Sequence, residues 1–200
     1  MKKLFTLLPV MLLAACVGQP LPPVTEYSLS PSMPAGRMME TSLPLTLRLG
    51  PVVASRIYQG SELYYLDGAY RLNPYAYSRW VDAPVRMLQL VLQDGLERSG
   101  LFQAVLPSSS RLQADLRLEV TLYDFSHHLQ GKQGSEAVVR MGVHLLDARQ
   151  GRLLASRRFE ARMPAPGGNA SAAVAAINGA VADILPRLLD WLQGSLKNPS

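Results

Sequence analysis

From Leu112 to Leu122 the chain alternates apolar and polar residues without a miss. Leu112, Ala114, Leu116, Leu118, Val120 and Leu122 fall on one side. Gln113, Asp115, Arg117, Glu119, Thr121 and Tyr123 fall on the other. A period of two predicts a strand covered on one face and wet on the other. Val139, Met141, Val143 and Leu145 repeat the pattern. Leu153, Ala155, Phe159, Ala161 and Met163 form a third run, with Arg157 as a break. Ala148-Arg149-Gln150-Gly151 is short enough to join the last two as a hairpin. Upstream, Leu45, Leu47 and Leu49 oppose Thr46 and Arg48 within a strand predicted over Leu43–Val53. Glu26-Tyr27-Ser28-Leu29 can pair at a sheet edge, and residues 35–42 read as a loop.

Two segments switch to a period of three to four. Val85, Leu88, Val91, Leu92 and Leu96 form an apolar stripe opposite Arg86, Gln89, Gln93, Asp94 and Glu97. Asp82 is the expected N-cap, Pro84 suits the first turn and Gly100 suits the C′ position. Leu101–Leu106 follows as a short strand. After a Pro/Gly break at 164–168, Asn169 or Ser171 caps a long second helix. Its stripe is Val174, Ile177, Val181, Ile184, Leu185, Leu188, Leu189 and Leu192. Pro186 is expected to kink or split it. Two amphipathic helices on one face of a mainly antiparallel sheet make an α+β fold in a single domain.

Glu62 to Asn73 has an unusual composition. Asp67-Gly68 supplies a tight hairpin turn, and Tyr64, Tyr65 and Tyr70 flank it. Tyr75, Tyr77 and Trp80 follow, with Arg79 beside the tryptophan. Tyrosine and tryptophan give large contact area with few rotors to freeze. These seven residues are the candidate partner surface, although rings in a hairpin also serve to pack a sheet edge.

The N-terminus follows a different logic. Lys2 and Lys3 precede ten mostly apolar residues, Leu4 to Leu13, and then Ala14-Ala15-Cys16. Ten residues cannot span a bilayer that needs about 20, so the segment reads as a signal peptide. Leu13-Ala14-Ala15-Cys16 resembles the lipobox of bacterial lipoproteins, which are cut before the cysteine. The resemblance implies lipidation at Cys16 and a mature chain that begins there. Val17, in place of an aspartate, favours the outer membrane. Residues 16–25 form a Pro-rich tether, 26–194 the domain and 195–200 a polar tail. No other apolar run is expected to reach membrane-spanning length.

Charge and chemistry narrow the function classes. Without Lys2 and Lys3 the formal charge is +3, eighteen basic residues against fifteen acidic ones. The excess is scattered, unlike the clustered stripe of a nucleic-acid binder. Cys16 is the only cysteine, so no disulfide forms within the chain. His127 and His128 are adjacent and point to opposite faces of a strand. His144 sits on a polar face, and Asp67, Asp124 and Asp147 read as turn residues. No nucleophile elbow, phosphate loop or metal-ligand spacing is present. The expectation is no enzyme, no catalytic residue, no cofactor and no metal.

Several short motifs resemble one family. They are Leu49-Gly50-Pro51-Val52, Tyr70-Arg71-Leu72-Asn73-Pro74-Tyr75, Ser78-Arg79-Trp80 before a helix, and Leu101-Phe102-x-x-Val105 after it. With the lipobox, they resemble the ABC-type transport auxiliary lipoproteins, which include the PqiC-like proteins, over residues 26–192. The resemblance implies a non-enzymatic lipoprotein of an Mce-type system that moves lipids between inner and outer membranes. The implied partners are an MCE-domain protein and, through the acyl anchor, the inner leaflet of the outer membrane. A homo-oligomer stays open, and no nucleic acid is implied. A regulator of a peptidoglycan synthase and a carrier of one lipid are the alternatives.

Overall fold

The computed structural model describes residues 22–32, 42–131 and 134–197. Cys16 and most of the expected 35–42 loop lie outside them. Among the described residues, eight strands form one mixed sheet: β1 (Thr25–Tyr27), β2 (Leu43–Ala54), β3 (Glu62–Asp67), β4 (Arg71–Trp80), β5 (Phe102–Leu106), β6 (Leu116–Leu129), β7 (Ser135–Asp147) and β8 (Arg152–Ala165). Helices α1 (Pro84–Arg98) and α2 (Ala170–Lys197) cover one face.

β6 organises the sheet. Along one edge it pairs antiparallel with β7, which pairs antiparallel with β8. Its other edge is shared. Leu116 to Leu122 run parallel to β2, and His127 to Leu129 run parallel to β3. β5 extends the first wing beside β2, whereas β4 and then β1 extend the second beside β3. The long antiparallel ladders match the sequence expectation. The parallel pairs join residues far apart in the chain, and periodicity carries no information about them.

Bulges account for the strand positions that depart from expectation. Tyr123 is the extra residue between Leu122, paired with Met141, and Asp124, paired with Arg140. The inward face therefore moves from Leu122 to Phe125, and Asp124 sits within β6 on the opposite face instead of at a turn. A second irregularity skips Leu154, so Leu153 is 53% exposed while Leu154 packs against the core. Leu112 precedes the strand and is exposed. In β2, the register shifts across Gly50-Pro51, where proline is tolerated because the ladder is broken. The freed Val52 N–H donates to Gln89 Oε1 of α1 at 2.7 Å.

The helices hold most of the expected stripes. Leu88, Leu92 and Leu96 are buried, while Val85 and Val91 are half-buried at the rim. The N-cap of α1 is Ala83, not Asp82. Asp82 instead accepts the Ala83 N–H and pairs with Arg86 one turn on. Gly100 takes a positive φ of 63°, as a C′ residue should. Asn169 Oδ1 accepts the Ala172 N–H at 2.9 Å and caps α2. α2 runs unbroken through Pro186 to Lys197, so it is not split, and the expected tail at 195–200 begins inside a helix. By length and hydropathy α2 could cross a membrane, contrary to expectation. In this fold 56% of its most apolar window is buried, where it packs on β8 and β7 as a core helix.

Candidate functional site

The tyrosine-rich stretch forms β3, a turn and β4. Gly68 supplies the turn with a φ of 70°. The structure divides the seven candidate surface residues. Trp80 is 1% exposed, and its indole packs 5.5 Å from the Phe125 ring, so it is core and no part of a docking face. Its N–H on the backbone donates to the Ser61 carbonyl at 2.8 Å. Arg79 is held by Glu26 of β1, with Nη2 and Nε at 2.6 and 3.0 Å from Oε1. It thereby ties the first strand to the sheet.

The tyrosines divide in the same way. Tyr65 and Tyr75 are half-buried, with ring centroids 4.8 Å apart. The Tyr75 hydroxyl lies 2.7 Å from His127 Nδ1 and donates weakly to the Gly168 carbonyl at 3.4 Å. Burial, with Tyr65 nearby, raises the Tyr75 hydroxyl to about 12. Tyr64 packs partly against the core, and burial followed by the Glu62 charge raises it too. Tyr70 at 94% and Tyr77 at 48% are the exposed rings.

His127 and His128 do point opposite ways. His127 is fully buried on the helix-facing side, and its Nε2 has no hydrogen-bond partner among the described residues. Burial, then the neighbouring His128, pushes its pKa below the ordinary value. His128 faces the other side and meets a polar knot that sequence reading missed. Asp124 Oδ1 accepts from Ser126 Oγ at 2.6 Å and from the Tyr58 hydroxyl at 3.3 Å. Asp124 Oδ2 lies 3.3 Å from His128 Nε2 and 3.7 Å from Arg140. Burial raises the Asp124 carboxyl. The hydrogen bonds from His128 and Ser126 and the charges of His128 and Arg140 outweigh it, and the net shift is downward. Burial and the Asp124 charge raise Tyr58 to about 12. The visible signal was the three-residue step from Leu122 to Phe125, which breaks a perfect alternation.

Ser126, His128 and Asp124 do not form a hydrolase triad. In a triad one imidazole nitrogen faces the serine and the other faces the carboxylate. Here His128 Nε2 faces both, at 3.2 Å from Ser126 Oγ and 3.3 Å from Asp124. Ser126 is also 2% exposed. Among the described residues no group of three or more His, Cys, Asp or Glu is placed to hold a metal.

Two open clefts lie on the surface of the described residues. One, about 500 Å³, lies between β8 and α2 and is lined by Leu154, Arg157, Arg187, Trp191 and Ser195. Phe159 lies against it, with the Trp191 ring edge-on at 5.9 Å and the Arg157 guanidinium 5.4 Å from its centroid. The other, about 540 Å³, is lined by Arg48, Arg111, Leu112 and Arg149.

The family motifs read physically. Gly50-Pro51 makes the β2 bulge. Arg79 and Trp80 fasten β1 and the core. The Leu101 carbonyl accepts the Leu43 N–H at 2.8 Å and starts the β2–β5 pair. These residues serve the architecture, and the architecture has relatives. A crystal structure of a DUF330 protein from Xanthomonas campestris superposes with a TM-score of 0.79 at 20% identity, covering 87% of this chain and 97% of that one. A second solved structure, of an uncharacterised protein, gives 0.67 at 16% identity over 86% and 99%. No curated protein sequence matches significantly. The family model for the ABC-type transport auxiliary lipoprotein component matches residues 27–187, from β1 into α2, and the chain belongs to that family.

Proposed function

We propose that this protein is a non-catalytic accessory subunit of an Mce-type ABC lipid-transport system. Cys16 would carry the acyl anchor in the inner leaflet of the outer membrane, and the domain would dock an MCE-domain protein in the periplasm. The family match over residues 27–187, behind a lipobox, carries the reading. The docking surface is reduced to exposed groups of the tyrosine-rich wing, such as Tyr77. Among the described residues, its strand β4 is paired by β1 only at residues 78–80.

The single-lipid carrier fits less well. Such a carrier needs a mostly apolar pocket, whereas both clefts named above are open and carry arginines. Affinity capture of the tagged, full-length lipoprotein from membranes tests the proposal. Recovery of an MCE-domain protein, weakened by Tyr77→Ala, is expected. Recovery of cell-wall synthases alone would overturn it in favour of the regulator.

A further inference from the structure

The strand directions fix which end of the domain the tether leaves from. β6 runs from Leu116 at one end of the sheet to Leu129 at the other, and β3 runs parallel beside its last residues. β4 returns antiparallel, and β1 is parallel to β4. The backward direction of β1 from Thr25 therefore leads toward the Gly68-Ala69-Tyr70 hairpin tip, not toward the turn at 148–151.

Lengths make this orientation consequential. Arg79 lies opposite Glu62, and Arg71 opposite Asp67. Thr25, paired with Ser78, thus sits about five β3 residues below the tip, or about 17 Å. Nine residues from Cys16 to Val24 reach at most about 30–32 Å. An acyl group on Cys16 can stand only about 15 Å beyond the tip. To present the opposite end, the tether would have to reverse. It would then have to run fully extended past the remaining ~26 Å of a β6 that is about 43 Å long.

The tip is suited to what it would meet. Tyr70 is 94% exposed, and Gly68 and Ala69 beside it are exposed and small. Arg71 and Asp67 neutralise one another at 3.0 Å, so no net charge opposes an approach to headgroups. A tyrosine ring sits favourably at the headgroup level, with its apolar body in and its hydroxyl wet.

We infer that the β3–β4 hairpin tip, led by Tyr70, rests in the headgroup layer of the anchoring membrane. The 148–151 turn and the Arg48/Arg111/Arg149 cleft then face away from it. The inference rests on the acyl anchor proposed at Cys16. It is tested with the full-length lipoprotein in vesicles of phosphatidylethanolamine and phosphatidylglycerol containing a headgroup spin label. Acylation consumes the only native thiol, so Ala69→Cys and Gln150→Cys each accept one fluorophore.

Several-fold stronger quenching at position 69 than at 150 is expected, lowered by Tyr70→Ala and retained by Tyr70→Trp. Stronger quenching at 150, no quenching at either position, or no effect of Tyr70→Ala would overturn the inference. Failure of the wild-type chain to float with vesicles, or flotation unaffected by Cys16→Ser, would remove the anchor and the inference together. Anchored chains with an unquenched tip would remove the inference alone.

Discussion

Tyr123 lies across Gly142 of the neighbouring strand, so that a Cβ at position 142 would stand 2.8 Å from the tyrosine hydroxyl and 2.9 Å from Cε2. The Arg158 guanidinium covers the same ring at 5.2 Å. Aromatic cover of a strand glycine offsets the packing that glycine lacks. Gly142→Ala should therefore displace the ring and cost about 1 kcal/mol. In a Tyr123→Ala background the same change should instead stabilise by about 0.5–1 kcal/mol, the ordinary gain of alanine over glycine in a strand. Urea midpoints of the four chains in this double-mutant cycle measure the reversal of sign.

Trp80 and Tyr70 belong to one sequence stretch yet should behave as opposites. Trp80→Ala empties a fully buried site against Phe125 and should cost about 3–5 kcal/mol. Tyr70→Ala removes an exposed ring and should stay within about 0.5 kcal/mol. Equal losses in chemical denaturation would contradict the core placement of the tryptophan.

Histidine protonation should weaken the fold below neutrality. Folding lowers the His127 pKa from 6.5, chiefly by burial. The unfolded chain then binds a proton that the folded chain refuses, so stability rises with pH between the two values. As pH falls through 6.5, stability should begin to drop, and it should continue to drop until the folded value is reached. His127→Gln should flatten that segment of a stability–pH curve, and an unchanged slope would show that the proton is taken up elsewhere.

A second window lies in acid. The Asp124 carboxyl is held below its ordinary 3.8 in the fold. Its contribution is complete above 3.8 and is lost as pH falls through the depressed folded value. Asp124→Asn should cost about 1–3 kcal/mol at neutral pH, because Tyr58, Ser126 and His128 lose a charged acceptor. It should also shrink the acid limb while leaving the His127 window in place. Thermal unfolding across both ranges separates the two groups.

Much of this fold was legible because its strands are wet on one face. Leu116 to Leu122, Val139 to Leu145 and the α2 stripe had to appear as they do for the core to close. Legibility stopped where the rule of two is broken. Tyr123 shifts β6 by one residue and turns Asp124 from an apparent turn residue into the centre of a buried polar knot. Leu153 and Leu154 exchange faces for the same reason. The tyrosine-rich stretch was legible as a hairpin but not as a surface. Composition does not distinguish Trp80, which fills the core, from Tyr70, which stands clear of it, because that difference is made by strands β1 and β6 arriving from elsewhere in the chain.

The shared edge of β6 sets an order of assembly. β2 and β3 each pair with it in parallel, across about 70 and 60 residues of intervening chain, and neither can form that ladder as a local hairpin. Such non-local closure is slow. A chain delivered N-terminus first would expose the tyrosine-rich wing and the β2 bulge before their common template exists. The first half of the molecule is then an unfinished surface until Leu116–Leu129 arrives.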